Sequence, residues 1–268
     1  MRRAVAAAAA AVGVYATLIE PRRLVTTRLA LDLPSWPHTR NGYRVGFLSD
    51  LHAGAPFAGR KEIARAVERL NEQQLDVVLL GGDYIDAHVI WGGRLAPELI
   101  ARELGQLTAP TFAVLGNHDW KQAGDRMWRA LQNAGIEVLE NHAVETNGVY
   151  IAGLADMRTR RPDLPGALAE VPAGAPVILL AHDPDVFPLV PDRVALTLAG
   201  HTHGGQVAIP IIRRPFIPSR YGERYVRGHI VEENRHLYVT SGLGTSGLPV
   251  RLLAPPEIVV LELSSATT

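Results

Sequence analysis

The sequence predicts an α/β fold, and three observations carry that prediction. Through the first half, short apolar segments alternate with stretches whose apolar residues recur at helical spacing. The second half is richer in strand-like segments, with a hairpin signature at Asn147-Gly148. Five apolar segments run directly into clusters of Asp, Asn and His, where the carboxyl ends of α/β strands present ligand-binding side chains.

Taken in order, the chain opens with Met1-Arg2-Arg3, an uncharged run from Ala4 to Ile19, and then Glu20-Pro21-Arg22-Arg23. A positive start before an apolar stretch resembles a signal peptide or signal anchor. The run is rich in alanine and short of the roughly 20 residues a bilayer span needs. No cleavage site stands out, because Leu18, Ile19 and Glu20 follow Ala16. An uncleaved anchor, a cleaved export signal and a soluble helix all stay open. Arginines flank both ends, so the side of the membrane stays open too. The expectation is a membrane-targeting or anchor segment at residues 1–19, a linker or edge segment at 20–42 and one folded domain at 43–268. Within 20–42, alternation in Arg28-Leu29-Ala30-Leu31-Asp32-Leu33 is compatible with a short edge strand.

The body begins with a strand at Arg44–Leu48, followed by a helix over 61–74 with Ile63, Val67 and Leu70 on one face. Asp76–Leu80 reads as a strand ending in Gly81-Gly82, 96–107 as a helix, Thr111–Leu115 as a strand and 120–134 as a helix. Ala143–Thr146 and Val149–Ala152 flank Asn147-Gly148, and further strands are expected at 176–180, 193–199, 236–240 and 257–263.

Composition narrows the chemistry. Lys plus Arg and Asp plus Glu each number 27, which gives no overall attraction to nucleic acid, and no protein partner is implied. There is no cysteine, which removes disulfides, thiolate metal sites and cysteine nucleophiles without fixing the compartment. Any transition metal must sit on His and carboxylate ligands, which suit Mn, Fe or Zn.

The five clusters are Asp50-Leu51-His52, Gly82-Asp83-Tyr84-Ile85-Asp86, Gly116-Asn117-His118-Asp119, Ala181-His182-Asp183 and Gly200-His201-Thr202-His203-Gly204. Strand ends converge on one rim, so residues about 150 apart in sequence can meet there. In Asp50-x-His52 and His201-x-His203, alternation would put both side chains on the same side of an extended segment. Alone, an Asp-x-His is more often a surface pair and a Gly-Asn-His-Asp more often a turn. Five such clusters, each behind a strand, point to metal. Seven ligands (Asp50, His52, Asp83, Asn117, His182, His201 and His203) are too many for one zinc and suit two ions sharing Asp83.

In this order the clusters resemble the calcineurin-like metallophosphoesterases. Ala181-His182-Asp183-Pro184-Asp185, the run from Gly200 to Gln206, and Tyr221-Gly222-Glu223-Arg224-Tyr225 are similar to its YkuE/YaeI-like bacterial branch. The resemblance implies a four-layer αββα sandwich, two packed mixed sheets flanked by helices, with two divalent metal ions, Mn favoured, at one end. It places Asp50, His52, Asp83 and His203 on one metal and Asp83, Asn117, His182 and His201 on the other. It makes His118 the group that protonates the leaving oxygen and Asp86 the residue that orients it, with Asp119 structural. The implied activity is a membrane-associated phosphodiesterase or pyrophosphate hydrolase acting on a lipid-linked or nucleotide-sugar-lipid substrate. A soluble phosphomonoesterase and a non-catalytic metal-bound scaffold are the alternatives.

One departure from the pattern matters. Protein Ser/Thr phosphatases carry Arg after Gly-Asp-x-x-Asp, whereas this chain has Ala87, so protein dephosphorylation is not expected. His88 reads as a surface-loop residue, and His38, His142, His229 and His236 receive no role. Residues 207–228 mix Ile209, Ile211, Ile212, Phe216 and Ile217 with Arg213, Arg214, Arg220, Arg224 and Arg227, while prolines 210, 215 and 218 argue against a helix. This segment is either an irregular packed loop or a lip that touches lipid or phosphate.

Overall fold

Two six-stranded sheets stack face to face. The first runs β1 (Val25–Leu33), β12 (Glu257–Ser265), β2 (Tyr43–Leu48), β3 (Val77–Leu80), β4 (Thr111–Ala113), β5 (Glu137–Val138). The second runs β10 (Gly228–Glu232), β11 (Arg235–Val239), β9 (Leu196–Ala199), β8 (Val177–Leu180), β7 (Val149–Gly153), β6 (His142–Thr146). These come from a computed structural model that describes residues 1–85, 90–209 and 217–266. Both sheets are mixed. In the first, β12 pairs antiparallel with β2 and the rest are parallel. In the second, the outer hairpins β10–β11 and β6–β7 are antiparallel around a parallel centre.

The strands are apolar because both faces are covered. In β3, Val77 and Leu79 point into the space between the sheets, where they meet Phe47, Ile151, Ile178 and Leu196. Val78 and Leu80 point the other way, under the helices. Those helices are α2 (Arg60–Asn71), α3 (Pro97–Leu104) and α4 (Asn117–Asn133). In α2 the buried stripe is Ile63, Ala66, Val67 and Leu70, the spacing of one helical face. On the far side, α5 (Leu164–Ala167), Phe187 and Tyr225 cover the second sheet. The result is four layers, helix–sheet–sheet–helix. Each buried Leu or Phe contributes about 1.5–3 kcal/mol, so the inter-sheet layer and the layer under the helices both contribute heavily to stability.

Helix α4 starts three residues before the position expected from periodicity. Gly116 is its N-cap, and Asp119 accepts the Gly116 N–H at 2.9 Å. This puts Asn117 and His118 in the first turn, at the end of β4. The hairpin at Asn147-Gly148 has φ of 50° and 73°, the primed turn that the dipeptide favours.

At the N-terminus, α1 (Arg2–Val14) continues through a π turn (Tyr15–Ile19) and a 3-10 turn (Glu20–Arg22). The continuous helix, Arg2–Arg22, has 21 residues and is long and apolar enough to cross a membrane. The sequence reading stopped at Ile19 because of Glu20 and Pro21, both of which are buried against the body. Ala254 N–H donates to Glu20 Oε1 at 2.7 Å, and Arg251 N–H donates to the Ala16 carbonyl at 2.9 Å. Residues 20–42 include β1, an edge strand paired along nine residues with β12.

Candidate metal centre

Five parallel strands deliver their carboxyl ends to one rim: β2 to Asp50 and His52, β3 to Asp83, β4 to Asn117, β8 to His182, and β9 to His201 and His203. The chain turns sharply at each. Among the described residues, twelve non-glycines have positive φ, and five of them are Asp50, His52, Asp83, His201 and His203. Such backbone costs on the order of 1–3 kcal/mol per residue and persists where surroundings impose it, typically at functional sites. The expected geometry of an extended Asp-x-His is therefore replaced. With φ of 53° at Asp50 and 43° at His52, left-handed turns bring the two side chains together. Two glycines make room. A Cβ on Gly200 would lie 2.2 Å from Asp50 Oδ2, and one on Gly116 the same distance from Asp83 Oδ1.

The side chains gather into two groups. Ligand atoms of Asp50, His52 and His203 lie within 4.8 Å of one another, and so do those of Asp83, His182 and His201. In the first group, His203 Nε2 is 3.0 Å from His52 Nε2 and 3.7 Å from Asp50 Oδ1. In the second, His182 Nε2 is 3.1 Å from His201 Nδ1 and 3.2 Å from Asp83 Oδ2. The same oxygen, Asp83 Oδ2, lies 3.7 Å from His52 Nε2, so it stands between the groups.

The donor set fits a cation. His182 Nδ1 lies 2.8 Å from the Gly81 carbonyl and His201 Nε2 lies 3.1 Å from that of Pro218. A carbonyl only accepts, so these contacts put the protons on those nitrogens and assign the tautomers. With His182 neutral, the lone pairs of His182 Nε2 and His201 Nδ1 face each other and Asp83 Oδ2, three acceptors with no donor among them. Asn117 Oδ1 is likewise buried without a hydrogen-bond partner. A divalent ion satisfies such a set.

Electrostatics in the metal-free centre follow from burial and crowding. Burial, with the Asp83 charge added, pushes the Asp50 carboxyl up to about 7. Burial drives His52 and His201 down to about 3, and His203 well below its ordinary value. These imidazoles are neutral and ready to ligate. For Asp83 burial also acts upward, but the charge of His182 and its hydrogen bond outweigh it and hold the carboxyl well below the usual range. His182 is the converse: burial acts downward and Asp83 overrides it, leaving the ring well above its ordinary value. In the absence of metal, a proton on this pair stands where the cation's charge would be.

Asp119 is structural. Its carboxylate accepts the N–H groups of Asp83 (2.8 Å), Tyr84 (2.9 Å) and Ile85 (3.1 Å), besides that of Gly116. It thereby locks the turn that carries Asp83 to the start of α4.

A cavity of about 520 Å³ opens over the groups. Asp83, Asn117, His201 and His203 line its floor, and His118 its side. His118 is half-buried, its ring centroid is 4.8 Å from that of His52, and its backbone N–H donates to Asp83 Oδ1 at 2.8 Å. Asp86, Ala87 and His88 lie outside the described residues, as do Ile211, Ile212, Arg213, Arg214 and Phe216 of the expected lip. Sequence reasoning missed two cations on the cavity wall, Lys121 and Arg158. The Arg158 guanidinium is held by Asp183 at 2.9 Å and by the Pro218 carbonyl. Lys121 is four residues beyond Asn117 on α4, a signal readable once the helix start is known. Arg158 lies in a loop and carries none.

Comparison with known proteins agrees with this construction. Residues 43–205 match the calcineurin-like phosphoesterase family. The chain is 32% identical over 260 residues to the uncharacterized metallophosphoesterase YkuE of Bacillus subtilis, covering 94% of this chain and 89% of that protein. It is 35% identical to phosphodiesterase YaeI of Escherichia coli, over 82% of each chain. It is 31% identical to a Danio rerio transmembrane protein with a metallophosphoesterase domain, over 92% of this chain and 58% of that protein. The chain belongs to the calcineurin-like phosphoesterase family, the metal-dependent phosphoester hydrolases.

Proposed function

We propose that this hydrolase is a phosphodiesterase or pyrophosphate hydrolase that works at a membrane on a lipid-linked phosphoester, with two divalent cations, Mn favoured. The observation that carries the reading is Asp83 Oδ2, which stands between two Asp/His groups at the floor of a cavity. In this reading Asp50, His52, Asp83 and His203 hold one ion, and Asp83, Asn117, His182 and His201 the other. When bound, the pair supplies Lewis-acid charge at a phosphoryl group and a nucleophilic water at neutral pH.

The chain's own residues do the rest. His118 lines the cavity beside the two groups and gives a proton from its imidazole to the leaving oxygen. Asp86 is assigned to orient that ring. Arg158, fixed by Asp183, and Lys121 hold the non-bridging phosphoryl oxygens, a task the Arg of protein phosphatases performs elsewhere in the sequence pattern. The relative named a phosphodiesterase supports the diester assignment, and the relative named a transmembrane protein supports the membrane assignment. Residues 1–19 supply the membrane segment, within a helix of sufficient length.

The test is a hydrolysis panel on metal-loaded, full-length protein covering phosphomonoesters, diesters, nucleotide-sugar pyrophosphates and phospholipids. Preference for diesters or pyrophosphates is expected. Preference for monoesters, with protein recovered away from membranes, would favour a soluble phosphomonoesterase. Two bound ions without turnover of any substrate would favour a scaffold.

A further inference from the structure

Thirteen large apolar side chains are exposed among the described residues. Five are on the N-terminal helix with Met1 just before it, and four more, Ile90, Trp91, Leu248 and Leu253, are on two loops tied to its end. The ties are backbone hydrogen bonds. Ile90 N–H donates to the Gly247 carbonyl at 3.2 Å, which joins the two loops, and Arg251 N–H donates to the Ala16 carbonyl at 2.9 Å, which joins them to the helix. The Arg22 guanidinium stacks 3.8 Å over the Phe57 ring and adds a contact between the helix end and the body. Much of the exposed apolar surface therefore lies on the helix and on the loops next to the place where a helix able to cross a membrane meets the body.

Two of these side chains are costly twice over. Trp91 is 88% exposed with φ of 62°, and Leu253 is 58% exposed with φ of 61°. A bulky residue in left-handed backbone is a steric outlier, and a large apolar side chain in water gains nothing in return. An apolar environment outside the chain would account for both.

The same loop is a wall of the metal cavity. Leu248 and Val250 line it together with Val207, and Lys121 and Arg158 line it as well. Gln206 staples this wall: its side-chain N–H groups donate to the Ser246 and Leu248 carbonyls at 3.1 and 2.8 Å, and its Oε1 accepts the Ser246 N–H at 2.8 Å. The cavity lining thus combines cationic and apolar side chains, and Leu248 carries its apolar part onto the exposed surface. Arg22, Arg23 and Arg94 are exposed on the same helix and loops and complement anionic headgroups.

We infer that residues 90–94 and 246–253 form an interfacial rim that enters the lipid headgroup region beside the helix. The rim opens the metal cavity onto the bilayer, so that an amphiphilic phosphoester enters with its phosphate toward Arg158 and its apolar group against Val207, Leu248 and Val250. The inference rests on the membrane reading above and adds the surface that meets the lipid.

The test uses full-length, metal-loaded protein on vesicles of phosphatidylcholine and phosphatidylglycerol, with and without bromine in the upper acyl chain. Emission of the four-Trp protein minus that of Trp91→Asn isolates Trp91. Asn is at ease in left-handed backbone, so this variant and Trp91→Asn/Leu253→Asn relieve strain rather than add it. Brominated lipid is expected to quench the Trp91 emission by about half or more, and iodide to leave it alone. The double variant, whose changed side chains line neither the cavity nor the ligand groups, should lose about tenfold in rate on hexadecyl p-nitrophenyl phosphate in vesicles while keeping its rate on bis(p-nitrophenyl) phosphate in water. Vesicle-bound protein whose Trp91 stays open to iodide and untouched by bromine would overturn the rim and leave the membrane reading standing. Failure of the intact chain to bind vesicles would overturn both. The fluorescence decides the matter even if neither ester is hydrolysed.

Discussion

The two ligand groups have the same composition, one Asp and two His, and sit in different electrostatic surroundings. In the group of Asp83, backbone carbonyls hold the outer nitrogens of both rings and fix their orientation. The group of Asp50 lies beside a buried guanidinium. Arg251 is fully buried, its pKa lowered by burial to about 10, and it is bound by the carbonyls of Ser241, Gly242, Gly244 and Ala254. Its charge contributes to lowering the pKa of both His52 and His203. Arg158 lowers His201 in the same way but is ion-paired with Asp183, whereas carbonyls alone hold Arg251, so the Asp50 group should bind its ion more weakly. Composition alone would have called the two groups equal.

The largest effect should come from the residue the groups share. Asp83→Ala removes the oxygen facing both His52 and His182. Elemental analysis should show loss of both ions, and activity should fall on the order of 10⁴-fold. Retention of one ion at full occupancy would break the shared-carboxylate reading. His118→Asn should leave metal content intact and lower kcat by about 10²–10⁴-fold. Metal loss in that variant would turn His118 from a proton donor into a ligand.

The two groups were legible in the sequence because each ligand sits directly behind an apolar strand, and parallel strands must deliver their ends to one rim. What was not legible is how they converge. Five left-handed turns depend on contacts between clusters, such as the Asp50 N–H on the Gly82 carbonyl at 2.9 Å and the His52 N–H on the Asp83 carbonyl at 3.0 Å. No window of local sequence contains both partners. The same holds for Arg251, which reads as an unremarkable charge, and for Trp91 and Leu253, whose backbone strain leaves no trace in periodicity. The start of α4 was misplaced because apolar spacing marks the packed face, whereas the Asp119 cap sets the end.

A smaller effect should separate binding from metal. Arg158 lines the cavity and reaches the ligand groups only through Asp183 and through the Pro218 carbonyl that also holds His201. Arg158→Ala should raise KM about tenfold with two ions still bound, if its role is to hold phosphoryl oxygen. An unchanged KM would leave it as a brace for the Pro218 carbonyl alone.

The smallest expected effect is a difference in how proton competition fades at the two groups. In the metal-free protein the Asp50 carboxyl is held at about 7, above its unfolded value near 3.9. Its stabilising contribution is complete below about pH 4 and lost as pH rises through 7. His52 and His201, held at about 3, act in the opposite sense, lowering stability as pH falls below about 6.5. An ion entering the Asp50 group must displace the Asp50 proton only below about pH 7, so its affinity should rise to that point and then level off. An ion entering the Asp83 group must displace the proton of His182, which is held well above the ordinary histidine value. Its affinity should keep climbing past the pH at which the other has levelled, by up to about tenfold per unit. The measurement is Mn²⁺ affinity between pH 6 and 9 from thermal shifts, on His201→Ala to isolate the Asp50 group with His182 in place, and on His52→Ala to isolate the Asp83 group. Two parallel curves would mean that the Asp83–His182 pair does not hold its proton, and that the two groups differ only through Arg251.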